Sequence, residues 1–135
     1  MASGIDSPST IFEEFCQLIL GADEYIRFVG IATLTGAVLG TKYRANLTPL
    51  LTQEETASSI KYSIWRMGSR RELEEKLGKT LYVIATYEKL KRATIPVGED
   101  GKSILIISFD KEADAESIIR NKILTIIKPY GSIVH

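Results

Sequence analysis

The sequence is poor in the residues that most often build metal and nucleophilic sites. It has 135 residues, one cysteine and one histidine, and the histidine, His135, is the last residue. A single cysteine excludes an internal disulfide framework and a zinc site built from several cysteines. Cys16 lies beside Phe15 in an apolar helical pattern without a neighbouring His or Lys, so we expect a small buried side chain rather than a reactive thiol.

Net charge and long apolar runs are also lacking. Lysine and arginine total 17, as do aspartate and glutamate, so no overall charge attracts the chain to nucleic acid or an anionic membrane. No apolar run approaches the roughly 20 residues of a membrane-spanning helix. Residues 1–9 contain Asp6 and no basic residue, which does not resemble a signal peptide, so we expect a cytoplasmic protein.

The length and the 44% hydrophobic content indicate one globular domain. We expect a flexible tail over residues 1–9 and a single domain over residues 10–135. The glycines form neither of the common nucleotide-binding motifs, and the acidic residues 110–116 lack the spacing of a calcium loop and suit a helix N-terminus. We therefore expect no cofactor, no metal and no enzymatic activity.

The first third of the chain predicts a helix and a hairpin. Apolar residues recur at helical spacing over residues 10–20, and the capping-box pair Thr10 and Glu13 marks the start of this helix. Residues 26–33 are largely apolar in both alternating sets, which is typical of a central strand buried on both faces. A turn at Gly36 and a second strand over residues 38–43 complete the hairpin.

Residues 52–77 predict a long helix with two apolar stripes. One stripe, which we expect to pack on the sheet, contains Ala57, Ile60, Ile64 and Met67, and the nearly opposite stripe contains Tyr62, Trp65 and Leu73. Trp65 is either a core residue or an interface anchor. Gly68 and a further capping-box spacing after it favour, as an alternative, a kink or restart of the helix there.

The rest of the chain predicts three strands and a last helix. The strand patterns cover residues 81–89, 91–97 and 103–109, and the third of them is almost continuously apolar. Pro96 argues for a bulge or an unpaired position near the end of the middle strand. Isoleucines at helical spacing over residues 118–127 predict a helix that ends before Pro129 and Gly131.

This order of elements predicts an α+β fold, with helices on the faces of a five-stranded antiparallel sheet. The order, the hairpin around Thr35-Gly36 and the meander around Asp100-Gly101 resemble the roadblock family of dynein light chains, in the profilin-like group of small domains, over residues 10–130. The chain is also similar to uncharacterised archaeal proteins of this type. The resemblance implies the strand order 2-1-5-4-3, which puts the two continuously apolar strands in the middle.

The resemblance also implies a homodimer, because roadblock-like domains dimerise through the third strand and the long helix. In the implied order residues 81–89 form an edge, whose unpaired backbone groups need cover or a partner. Aromatic residues and arginine dominate interface energies. The candidate protein-interface residues are Tyr62, Trp65, Arg66, Leu81, Val83, Ala85 and Tyr87.

Two basic clusters have two interpretations each. One lies on the long helix and contains Lys61, Arg66, Arg70 and Arg71, and the other follows the third strand and contains Lys89, Lys91 and Arg92. Glutamates interleave with the first cluster, which favours a solvated face. The alternative is a patch for an acidic protein surface or a phosphate group, whereas nucleic-acid binding is not expected because no aromatic RNA-binding motif occurs.

These observations favour a non-enzymatic, dimeric interaction module that scaffolds or regulates a protein partner. By analogy with roadblock-like proteins, that partner is a small Ras-like GTPase or a larger complex. The alternative is a PAS-like domain that senses a small molecule, since PAS domains share the order of two strands, helices and three strands. One long helix and large side chains on both faces of the central strands argue against a PAS-like pocket.

Overall fold

The structure is a computed structural model that describes residues 8–130, and the side chains of residues 11–129. The helices are α1 (Pro8–Leu20), α2 (Gln53–Arg71), α3 (Glu74–Leu77), α4 (Ala115–Ile118) and α5 (Leu124–Tyr130). The strands are β1 (Ile26–Thr33), β2 (Val38–Tyr43), β3 (Val83–Thr86), β4 (Leu90–Val97) and β5 (Ser103–Asp110). A 3₁₀ turn covers Glu99–Gly101, and a π-helical segment, Ile119–Ile123, joins α4 to α5.

The strands form one sheet in the order β2-β1-β5-β4-β3, with every neighbouring pair antiparallel. The predicted fold class and strand order are thereby confirmed. The two strands with continuous apolar sequence, β1 and β5, lie side by side in the middle, where Gly30 pairs with Ile106. Seven consecutive residues of β5, from Ser103 to Phe109, are buried, as expected for a strand covered on both faces.

The sheet separates two apolar cores of unequal size. The larger core lies between one sheet face, α1 and the last helical segment, and includes Phe15, Ile19, Leu105, Ile107 and Ile119. The smaller core lies under α2 and consists of Phe28, Ala32, Ile60, Met67, Ile104 and Ile106. Successive residues of β5 alternate between these cores because successive side chains of a strand point to opposite faces.

The β1–β2 hairpin turns where the sequence predicted it. Gly36 has φ +107°, a conformation that residues with a Cβ rarely adopt. Thr33 supports the turn, because its Oγ1 accepts a 3.1 Å hydrogen bond from the Ala37 amide. The hairpin therefore depends on backbone freedom at Gly36 and on local hydrogen bonding.

The long helix differs from its prediction in where it breaks. α2 runs through Gly68 without interruption, so the alternative of a kink or restart at that residue is wrong. The helix ends at Arg71, and after Glu72 and Leu73 the single turn α3 follows. Leu73 therefore lies outside α2 and does not share a stripe with Trp65.

Three other predicted boundaries are also corrected. Pro8 and Ser9 belong to α1 rather than to a tail, and the remainder of that tail, residues 1–7, lies outside the described residues. β3 covers four residues instead of the predicted 81–89. The last helix includes Pro129 within α5, while Gly131, its predicted stop, lies outside the described residues.

Candidate functional site

Helix α2 begins with the predicted capping box. The Thr52 hydroxyl accepts a 3.1 Å hydrogen bond from the Glu55 amide, and the Glu55 carboxylate accepts a 2.9 Å bond from the Thr52 amide. Acidic residues in the first turn and Arg70 and Arg71 in the last complement the helix dipole. The helix is thus well defined at both ends, although only Ile60, Ser63 and Met67 along its length are buried.

The opposite side of α2 carries large aromatic residues in solvent. Trp65 is 71% exposed and Tyr62 is 62% exposed, and Arg66 and Lys61 are exposed beside them. Trp65 is therefore an exposed residue, and the alternative that placed it in the core is wrong. Ala57 is exposed as well, although the sequence predicted it on the buried stripe, where Ser63 lies instead.

Strand β3 forms an open edge of the sheet next to this surface. It pairs with β4 alone, from Val83 opposite Thr94 to Thr86 opposite Lys91. Val83 packs against the small core under α2, whereas Ile84 packs against the large core on the other face. Because side chains alternate along a strand, Val83 and Ala85 share the α2 face of the sheet.

The structure brings most of the predicted interface residues onto one side of the molecule. Tyr62, Trp65 and Arg66 lie on α2, and Val83 and Ala85 lie on the adjacent edge strand. Leu81 and Tyr87 flank the strand rather than belong to it, and they are 73% and 55% exposed. We call the surface formed by these residues the α2–β3 face: Tyr62, Trp65, Arg66, Leu81, Val83, Ala85 and Tyr87.

A groove of about 690 Å³ lies between the first turns of α2 and the sheet, and we call it the α2 groove. Phe28 and Tyr43 line it from β1 and β2, with ring centroids 4.7 Å apart. The loop before α2 contributes Leu47 and Leu50, and Arg92 reaches it from β4. The large side chains of the central strands thus leave more room under α2 than the sequence indicated.

An ion-paired group closes one end of the α2 groove. Arg27, which lines the groove, donates a 3.1 Å hydrogen bond to Asp110, and Arg44 binds the same carboxylate. The hydrogen bonds from Arg44 and Arg27 hold the pKa of Asp110 below its usual range despite partial burial, and the bond from Arg44 has the larger effect. Asp110 therefore stays ionised and paired instead of acting in acid–base chemistry.

Arg92, which the sequence indicated only as one member of a basic cluster, is a candidate functional residue by itself. Its Nε is buried and, among the side chains of residues 11–129, is the one buried nitrogen or oxygen without a hydrogen-bond partner. Burial lowers the pKa of Arg92, and the positive charge of Arg66 adds to the effect. The predicted cluster of Lys89, Lys91 and Arg92 is not a single patch, because Lys91 instead donates to the Ala113 carbonyl near α4.

The signal for Arg92 was present in the strand pattern. Lys91 and Arg92 are consecutive residues of β4, so their side chains point to opposite faces of the sheet. One of these two basic side chains therefore had to lie on the face of the sheet that α2 covers. The first basic cluster is also divided, since Arg71 donates to the Gly101 carbonyl at 3.2 Å while Lys61 and Arg66 are exposed.

The other residues considered as ligands or nucleophiles do not form a reactive site in the described part of the chain. Within residues 8–130, no group of three or more His, Cys, Asp or Glu side chains could hold a metal ion. Asp114 caps α4 by accepting a 3.2 Å bond from the Ser117 amide, as expected for this acidic segment. Cys16 is buried as predicted, and burial raises its pKa to about 12. No helix in the described part of the chain is long and apolar enough to cross a membrane.

Comparison with known proteins gives structural matches only. No family model matches the chain, and no curated protein matches its sequence significantly. The gliding protein MglB of Thermus thermophilus has a similar structure, with a TM-score of 0.76 at 15% identity over 95% of this chain and 91% of that one. MglB of Myxococcus xanthus matches with a TM-score of 0.71 at 13% identity, over 90% of this chain and 93% of that one.

A third similar structure bears the name of the fold. The Roadblock/LC7 domain from Streptomyces avermitilis matches with a TM-score of 0.66 at 11% identity, over 87% of this chain and 95% of that one. These identities establish structural likeness alone. Their high coverage extends the likeness to most of the chain. The chain therefore has the fold of the Roadblock/LC7 domains.

Proposed function

We propose that the chain is a homodimeric interaction module whose subunits meet through the α2–β3 face. The observation that carries this proposal is the exposed aromatic pair Tyr62 and Trp65 beside the unpaired edge β3. Buried aromatic side chains each remove about 150–250 Å² from water, and they are the usual anchors of protein interfaces. An unpaired strand edge adds backbone hydrogen bonds when a second strand joins it.

A second copy of the chain suits this surface better than a small ligand does. Leu81 and Tyr87, at the two ends of β3, extend the exposed apolar area along the full edge. A stable interface buries about 1,600 Å² in total, which requires contributions from both a helix face and a strand. Assembly also has a precedent in this fold, because one of the similar structures is described as MglB with tetrameric arrangement.

The dimer would act as a regulatory scaffold for a protein partner, with no catalytic residue of its own. The candidate partner is a small Ras-like GTPase, an assignment that rests on analogy with roadblock-like domains. Lys61 is exposed on α2, is not one of the residues of the α2–β3 face, and supplies a positive charge for an acidic protein surface. Cys16, the one cysteine, is buried, and Asp110 is held in ion pairs with two arginines.

The dimer is tested by light scattering over a dilution series. We expect about twice the chain mass of 15.0 kDa at micromolar concentration. Trp65→Ala should weaken the dimer by about 2 kcal/mol or more, as for an interface hot spot, and leave the folded monomer intact because the side chain is exposed. Leu18→Ala is the matched control, since Leu18 is 44% exposed but lies on α1, across the sheet from α2.

Two results would contradict the proposed interface. One is a wild-type mass equal to that of a single chain throughout the micromolar range. The other is a dimer that Leu18→Ala weakens and Trp65→Ala does not. The partner is identified by affinity purification from native cells with wild type and Lys61→Glu in parallel. Equal recovery of a GTPase by both proteins would show that Lys61 does not bind it.

A further inference from the structure

The α2 groove contains an unmet hydrogen-bonding requirement. Arg92 lines the groove, and its buried Nε has no partner within the described part of the chain. Leaving a buried polar group unsatisfied costs roughly 1–3 kcal/mol, and more for a charged group. An unsatisfied group of this kind needs an explanation, and a bound molecule or ion that supplies the missing partner is one.

The charges around the groove favour an anion as that partner. Arg27 is already paired with Asp110, and Glu88 and Lys89, which both line the groove, are adjacent and of opposite sign. Arg44 adds a further positive charge at the Asp110 carboxylate. The charge of Arg92 is therefore left without a compensating carboxylate.

The rest of the lining favours an apolar ligand body. Phe28, Leu47, Pro49, Leu50, Leu51 and Leu90 all contribute to the groove. Small-molecule sites are typically about 300–1,000 Å³, mainly apolar, with a few polar groups that fix the ligand's orientation. The α2 groove has the size and the apolar lining of such a site, and Arg92, half-buried, is a cation in its lining without a carboxylate partner. A strongly hydrated inorganic phosphate would use the cation but leave the apolar walls unfilled.

We propose that the α2 groove binds an amphipathic organic monoanion, with its acidic group on Arg92 and its apolar body against Phe28, Leu47 and Leu50. A carboxylate or sulfonate accepts hydrogen bonds from a guanidinium in the charge-assisted geometry that makes such pairs strong. This site is separate in its chemistry from the α2–β3 face, with which it shares only Tyr87 among the lining residues.

Decanoate is a suitable probe, with 1-decanol and decyltrimethylammonium as neutral and cationic controls of the same chain length, each below its micelle-forming concentration. Isothermal titration should show saturable binding of decanoate at least tenfold tighter than that of decanol. Arg92→Met should weaken decanoate binding about tenfold or more and leave decanol binding within threefold. Arg120→Met removes an exposed charge from the π-helical segment, on the large-core side of the sheet, and should change neither affinity.

A second variant keeps the test decisive if Arg92→Met does not fold. Leu50 is 52% exposed in the loop before α2, so Leu50→Asp should fold and repel the anion, with a similar loss of decanoate affinity. Equal affinity for decanoate and decanol, or no saturable decanoate binding, would overturn the proposal. So would decanoate binding that appears only in a monomeric Trp65→Ala protein, because the groove would then be occupied by a second copy of the chain in the wild type.

Discussion

Arg44 binds Asp110 with two hydrogen bonds, Nη1 to Oδ2 at 2.8 Å and Nη2 to Oδ1 at 3.1 Å, across 66 residues of sequence. Arg44 directly follows β2, and Asp110 is the last residue of β5. Between these strands lies β1, whose Arg27 binds the same carboxylate. The three side chains therefore tie together one end of three neighbouring strands, including the edge strand β2, which pairs with β1 alone.

This ion-paired group should make stability depend on pH. The bonds from Arg44 and Arg27 lower the pKa of Asp110 in the folded state, so their contribution is complete above the unfolded-state pKa of about 3.9 and is lost as pH falls through the folded-state pKa. We expect Asp110→Asn to lower the free energy of unfolding by about 1–2 kcal/mol at pH 7. In urea titrations the difference from wild type should shrink as the pH falls below about 3.9.

Glu112→Gln is the control for this measurement, because Glu112 is exposed near the same end of the sheet. The free energy of unfolding of Glu112→Gln should equal that of the wild type both at pH 7 and below about pH 3.9. An Asp110→Asn protein as stable as the wild type at pH 7 would mean that the two arginines contribute no net stability.

The fluorescence of Trp65 should report dimer formation directly. The chain has one tryptophan, and its side chain is 71% exposed in the isolated subunit. Burial at a subunit interface would move its emission to shorter wavelength, so dilution through the dissociation constant should shift the emission maximum to longer wavelength. An emission maximum that stays constant while light scattering records dissociation would place Trp65 outside the interface.

Two glycines with open surroundings should respond oppositely to alanine. A Cβ would meet nothing within 4 Å at either Gly36 or Gly68, so packing does not distinguish them. Gly36 has φ +107°, and Gly36→Ala should destabilise the protein by about 1–2 kcal/mol through backbone strain. Gly68 lies inside α2, where Gly68→Ala should stabilise by about 0.5–1 kcal/mol.

Both glycine variants are best compared by thermal unfolding in the Trp65→Ala background, since Gly68 is exposed on the proposed interface helix. Loss of stability in Gly68→Ala under those conditions would indicate that α2 does bend at Gly68, contrary to the structure.

The thiol of Cys16 should be unreactive in the native protein. Cys16 is completely buried in the large core, and its pKa is raised to about 12 by burial, so almost no thiolate is present at pH 8. We expect Ellman's reagent to modify less than about a tenth of the thiol in an hour in buffer, and all of it within minutes in guanidinium chloride. Rapid modification in buffer would show that α1 detaches from the sheet.

The central positions of β1 and β5 were predictable from their own sequences. Both are largely apolar at consecutive positions, which is typical of a strand covered on both faces, and this agreed with the strand order implied by the family resemblance. The start of α2 was predictable from its capping box, because the side chains of Thr52 and Glu55 satisfy specific backbone groups at a helix N-terminus. Both signals are local and depend little on the rest of the fold.

The less accurate predictions concern properties that depend on neighbouring elements. The strand predicted over residues 81–89 counted Tyr87 as a strand former, but pairing with β4 stops at Thr86 and Tyr87 enters the turn. Pro129 lies inside α5, so the helix does not end before this proline as the sequence predicted. The burial of Arg92 depends on the path of the loop before α2, which the sequence does not specify.

The unequal division of the core has a consequence for how the molecule comes apart. α2 is held to the sheet by three buried residues, whereas the opposite face is sealed by α1 and the last helical segment around a much larger apolar cluster. In a free subunit, α2 therefore has less free energy opposing its detachment than α1 has. If its outer face is also the subunit contact, association and the anchoring of α2 are thermodynamically linked, and amide hydrogens in α2 should exchange more slowly as subunit concentration rises while those in β5 do not change.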